Sequence, residues 1–124
     1  NHLPVLTQQP VPLATGLNAF DLTTGSTALH VPNAETQRNG RYLLWSGDVN
    51  GDATVKYTGA DNDRDPVLLT IGGTVPTNTV SGYLPADVNL DGTVKYTGIR
   101  NDRDPILLTI GGTVPTAVRV QPLP

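Results

Sequence analysis

The sequence predicts a mixed fold, mostly β-strand and loop. A strand-rich N-terminal region precedes a tandem loop–short-helix module with pseudo-two-fold symmetry. Three observations lead there. The stretch from Asp48 to Thr77 returns from Asp87 to Thr116 at a constant offset of thirty-nine residues. Only five of those thirty positions differ: Gly51/Leu90, Ala53/Gly92, Ala60/Ile99, Asp61/Arg100 and Val67/Ile106. Such a repeat sets the architecture before any local propensity does. Composition is the second observation: 13 Gly and 11 Pro against a single Glu leave little for long helices. The third is the pattern ahead of the repeat, where short apolar runs alternate with prolines.

The first forty-five residues form one expected unit, a strand-rich region or part of an incomplete β-sandwich. Leu3–Thr7, Leu17–Thr23 and Ala28–Val31 are its candidate strands. Pro4, Pro10, Pro12 and Pro32 suit edges and connections better than sheet centres. The polar run Asn33–Gly40 ends in Asn-Gly and is expected to turn, before a last apolar run at Tyr42–Trp45. Trp45 is expected to anchor this region on the repeats. His2 and His30 have no second ligand-type cluster nearby and read as ordinary surface or turn residues.

Residues 46–124 form the second unit, divided into 46–83 and 84–124. Asp48-x-Asn50-x-Asp52 and Asp87-x-Asn89-x-Asp91 place three side-chain oxygens two residues apart. A loop that curls brings such oxygens onto one hard cation, with the seventh position, here Thr54 and Thr93, offering its backbone carbonyl. The sixth position favours Gly because the turn is sharp; Gly92 complies and Ala53 does not. Val55 and Val94 come next as the apolar residues that set the two loops side by side.

The usual twelfth-position carboxylate is missing, because Gly59 and Gly98 stand there. Treating Lys56–Asp61 and Lys95–Arg100 as six-residue insertions makes Asp65 and Asp104 the closing ligands. Asp63 and Asp102 then cap the helix starts, although the two pairs of acids can exchange these roles. Pro66–Ile71 and Pro105–Ile110 are then helices of about two turns, with Pro in the first turn and Gly72 or Gly111 as the stop. Helices this short must pack, most simply on each other. Val118-x-Val120 is a candidate strand before the Pro-rich tail.

The bulk numbers narrow the function. Nine of the ten Asp lie between Asp48 and Asp104 although the net charge is only −3. Local acidity without a basic patch argues against nucleic acid and for a cation. With no Cys there is no thiolate metal site or disulfide. No apolar run approaches the ~18 residues of a membrane span. The chain opens at Asn1 rather than Met, as a processed product or a fragment would.

The pattern DVN-x-D-x-x-V-KYTG-x-x-NDRDP-[VI]-LL in two copies resembles the type I dockerin, a duplicated calcium loop–helix module. It is most similar to the dockerin-like C-terminal repeats of large secreted Bacteroidetes proteins. Residues 1–45 look like the strand-rich lead-in found before those repeats. The resemblance implies two calcium ions, an extracellular or cell-surface location and a non-catalytic role. By motif, one ligand set is Asp48, Asn50, Asp52, Thr54 and Asp65; the other is Asp87, Asn89, Asp91, Thr93 and Asp104. The sequence departs from the family in its KYTG insertion. It also carries Asp63-Arg64 and Asp102-Arg103 where dockerins often carry the Ser-Thr pair that meets cohesin.

Paired aspartates also serve glycoside hydrolysis, but six aromatic residues in the whole chain supply no sugar platform. No serine-nucleophile, phosphate-loop or zinc-protease motif is present. The expectation is therefore not an enzyme. Two classes remain: a calcium-hardened structural module that self-assembles into a surface filament or stalk, with strand exchange through residues 1–45, and an anchoring module for a cohesin-like or cell-surface partner. Tyr57 and Tyr96 are expected to cover the loops or pack on the other repeat. Lys56 and Lys95 are expected to offset loop charge, and Arg64 and Arg103 to pair with an Asp of the neighbouring loop.

Overall fold

The computed structural model describes residues 1–121. The elements are β1 (Glu35–Arg38), β2 (Arg41–Leu44), β3 (Thr54–Lys56), α1 (Arg64–Thr70), β4 (Thr79–Ser81), β5 (Thr93–Lys95), α2 (Arg103–Thr109) and β6 (Val118–Val120). The architecture is mixed, mostly strand and loop, with three two-stranded antiparallel sheets and two seven-residue helices among the described residues. No helix there is long and apolar enough to cross a membrane.

Each repeat gives its loop strand to the other. β3, in the first copy, pairs with β6, which comes after the second helix; β5, in the second copy, pairs with β4, which comes after the first. The bonds at the strand ends repeat the exchange: Gly82 N–H donates to the Gly92 carbonyl (2.8 Å) and Gln121 N–H to the Ala53 carbonyl (3.1 Å). So do two hydroxyls, Thr58 to the Pro115 carbonyl and Thr97 to the Pro76 carbonyl, both 3.0 Å. The helices obey the same rule. α1 lies on β5 and α2 on β3. The two helices also touch each other, as expected, so each seats on both its twin and the other copy's loop strand.

The core is correspondingly shared. Val55, Val67, Val94 and Ile106 are fully buried, with Ile71, Val88 and Ile110 beside them. Val67 and Ile71, like Ile106 and Ile110, are four apart and face one way from helices that each bury a single stripe. Gly47 lies where a Cβ would meet the Ile106 backbone and Val55 at 3.3 Å, so a side chain here would have to push its neighbours aside. Both helices stop where Gly72 (φ +108°) and Gly111 (φ +114°) turn left-handed.

The N-terminal region joins this core through Leu3, which is buried in the same cluster. Its N–H donates to the Trp45 carbonyl (2.7 Å), and Gly47 N–H donates to the Asn1 carbonyl (2.7 Å). Trp45 anchors the region as expected. Its indole N–H donates to the Asn33 carbonyl (2.9 Å), and the Arg119 guanidinium lies 3.6 Å over the ring. Arg119 also donates to the Thr109 carbonyl (2.7 Å), and the Thr109 hydroxyl to the Ser46 carbonyl (2.8 Å).

The strand expectations before residue 35 fare less well. Leu3–Thr7 and Ala28–Val31 contribute one isolated bridge, Thr7 to Leu29, and a second bridge links His2 to Ser46. Leu17–Thr23 is not a strand: Leu17 is 96% exposed and the run has no ladder partner among the described residues. The hairpin strand lies instead within the polar run, where β1 meets β2 across Asn39-Gly40. Their φ values of +51° and +74° suit a type I′ turn.

Candidate metal centre

The acidic loops are built from carboxylates turned onto backbone N–H groups. Asp48 Oδ1 accepts from Gly51 (2.8 Å) and Asp52 (3.0 Å), and its Oδ2 from Ala53 (3.1 Å). Asn50 Oδ1 accepts from Asp52 (3.0 Å), and Asp52 Oδ1 from Thr54 (2.8 Å). The second loop repeats the pattern: Asp87 accepts from Asp91 (3.1 Å) and Gly92 (2.9 Å), Asn89 from Asp91 (2.9 Å), and Asp91 from Thr93 (3.0 Å). Thr54 and Thr93 open β3 and β5, at the junction of loop and strand.

The loop is closed by Asp63, not Asp65. Asp63 is fully buried; its Oδ1 accepts from Val49 (2.7 Å) and Asn50 (3.3 Å), and its Oδ2 from Lys56 (2.9 Å). Asp102 does the same with Val88 (2.8 Å), Asn89 (3.2 Å) and Lys95 (2.8 Å). Asp65 and Asp104 point outward, their side chains 55% and 60% exposed, and each pairs with its neighbouring arginine. The closing position expected of Asp65 and Asp104 is thus taken by Asp63 and Asp102.

The reason is the length of the excursion. Asp63 stands four residues beyond Gly59, so the insertion is the four-residue KYTG rather than six residues. It is pinched at its base where Asp63 N–H donates to the Lys56 carbonyl (2.9 Å). Its tyrosine packs on the core under Arg64 (5.3 Å to the ring centroid), and Tyr96 lies under Arg103 (5.2 Å). Arg64 and Arg103 therefore serve their own repeat instead of the neighbouring loop.

Neither Asp63 nor Asp102 caps its helix through its side chain. Asn62 and Asn101 do so, a role that the sequence reading did not give them. Asn62 Oδ1 accepts from Asp65 N–H (2.9 Å), while its amide donates to the Asp65 carboxylate (2.8 Å). Asn101 and Asp104 match this at 2.9 and 2.8 Å. The signal was present as Asn-x-x-Asp, a capping-box spacing.

Electrostatics single out the buried pairs. Burial pushes the Asp63 carboxyl up, and the nearby Asp48 carboxylate adds to the rise, while the three N–H donors oppose it. Asp102 is pushed up by burial, with Asp87 adding, against the same three kinds of donor. The ion pairs among the described residues are Arg64–Asp65, Arg100–Asp91 and Arg103–Asp104. None of these reaches Asp48, Asp63, Asp87 or Asp102. By contrast, Asn62 and Arg64 hold Asp65 below its ordinary value.

The donor set fits calcium by its chemistry. Each loop carries three carboxylates, an amide oxygen and a carbonyl, all hard oxygens, and calcium takes about six to eight of these. The residues that would hold it are Asp48, Asn50, Asp52, Thr54 and Asp63 in one loop, and Asp87, Asn89, Asp91, Thr93 and Asp102 in the other. Among the described residues no three carboxylates or imidazoles converge at metal-ligand spacing; the loop carboxylates instead accept from backbone N–H groups. No protein-family model matches the chain, nor does any curated protein or solved structure.

Proposed function

We propose that this protein is a non-catalytic, calcium-stabilised extracellular module of the dockerin-like kind, and that it self-assembles as a subunit of a surface filament or stalk. The observation that carries the calcium reading is the pair of buried aspartates in each loop, with no basic side chain among the described residues to balance them. Buried charge ordinarily pairs with an opposite charge or coordinates a metal. A cation in each loop would supply what the chain itself does not, and would couple loop closure to the packing of β3 and β5. Self-association draws support from the hairpin β1–β2, a two-stranded sheet whose β1 edge has no strand partner among the described residues and so offers residues 1–45 a place for strand exchange.

The anchoring reading is favoured by one other feature. Leu69 and Leu108, at equivalent places on the two helices, are 70% and 68% exposed, as a pair of contact points for a cohesin-like or cell-surface partner would be. Calcium titration by calorimetry, read together with light scattering, tests both. Two bound ions with growth into large particles support the filament; two ions on a lasting monomer favour the anchor. No binding at millimolar calcium refutes the metal centre.

A further inference from the structure

The two copies agree at twenty-five of thirty positions, so their few differences are informative. Three of the five fall together on the outer edge of the acidic loop. In the first copy this edge carries Gly51, Ala60 and Asp61; in the second it carries Leu90, Ile99 and Arg100. Hydrogen bonds hold each set in one place. The Asn50 amide donates to the Asp61 carbonyl (3.0 Å), and the Asn89 amide to the Arg100 carbonyl (2.8 Å).

Two of the three replacements put a residue less suited to left-handed backbone into the second copy. Leu90 takes φ +57° where the first copy has Gly51 at +78°, a region bulky residues avoid. Arg100 sits at φ +59° where Asp61 holds +55°, and Asp tolerates that region better. Leu90 remains 51% exposed and Ile99 89%, so both leave apolar surface open to solvent.

The first copy supplies the complement. Where the second edge is bulky, apolar and basic, the first is small and acidic. Asp61 has no ion-pair partner among the described residues, while Arg100 reaches only Asp91, at 3.5 Å. We infer that the Leu90–Ile99–Arg100 edge of one molecule docks on the Gly51–Ala60–Asp61 edge of a second copy, with Arg100 facing Asp61. This rests on the self-assembly reading above and gives it a contact on the repeats, separate from residues 1–45. Two unlike edges on one chain make a heterologous interface, and such an interface propagates as an open filament unless its rotation closes a ring.

The test is sedimentation velocity of the full chain in millimolar calcium chloride over a concentration series. Asp61→Arg and Arg100→Asp should each weaken assembly about tenfold or more. An equimolar mixture of the two variants should restore it, because each edge of one variant then meets an opposite charge on the other, one contact as in the wild type and one with the charges exchanged. Leu90→Gly and Ile99→Ala install residues that the first copy already accommodates. They should weaken assembly while leaving the unfolding midpoint unchanged or raised. If the wild type assembles and these variants assemble equally well, the interface is wrong and self-assembly stands by another route. Failure of the mixture to rescue assembly refutes the Arg100–Asp61 pairing. A wild-type chain that stays monomeric throughout overturns both the interface and the filament.

Discussion

Replacing Asp102 by Ala separates the two roles that the paired acids could hold. The carboxylate is fully buried and accepts three backbone N–H groups, from Val88, Asn89 and Lys95. Truncation strands all three donors. A buried donor without a partner costs about 1–3 kcal/mol. The Asn89 bond, at 3.2 Å, is the weakest, and losing a desolvated carboxylate returns part of the cost. The expected net loss is about 3–5 kcal/mol, a large share of the ~5–15 kcal/mol that holds a domain together. Asp104→Ala removes one exposed ion pair and half of a capping box, about 1 kcal/mol or less. Urea unfolding in EDTA measures both, and calcium calorimetry should show Asp102→Ala losing one of two sites. If Asp104→Ala proves the more damaging in either assay, the placement of Asp102 inside the loop is wrong.

Other expectations come from single residues. Ala53, at φ +63°, should become a better loop residue as Gly, raising apo stability by about 1 kcal/mol in chemical denaturation; a loss would show that the turn is not strained. Val67→Ala should cost about 1–3 kcal/mol. Because α1 lies on β5, amide exchange should accelerate more at Val94 than at Val55; the reverse pattern would argue against the exchange of helices. Burial, with the N-terminal charge adding, lowers the His2 pKa. The neutral ring is thus favoured in the fold, and its contribution is full above the ordinary value near 6.5 and fades as pH falls through the lower folded value. His2→Gln should remove that part of the pH dependence in thermal melts between neutral and mildly acid pH.

What could be read from the letters was what the chain repeats or encodes locally. The two helices, their glycine stops and the Asn39-Gly40 turn arise from short-range chemistry and are found. Leu17–Thr23 misled because an apolar run declares a strand only if some other segment offers it a ladder, and among the described residues none does. β1 escaped notice for the converse reason: Glu35–Arg38 is polar, yet β2 provides the partner. The choice between Asp63 and Asp65 depended on whether four or six residues loop out, which the spacing alone leaves open. It is decided by the Lys56 carbonyl and by tyrosine packing. The exchange of strands was invisible, since Thr79–Ser81 and Val118–Val120 sit thirty-nine residues apart but share no sequence that would name their partners.

That exchange imposes a parity on the architecture. Each copy brings one loop strand that needs a partner and one trailing strand that can serve as one, and the partner always comes from the other copy. Two copies satisfy each other completely. A single copy would expose β3 along its whole length with its helix unseated, and a third copy in tandem would restore the same deficit. The smallest unit that pairs all of its own loop strands is therefore the pair, reaching past the second helix to include β6, with Leu3 completing its core.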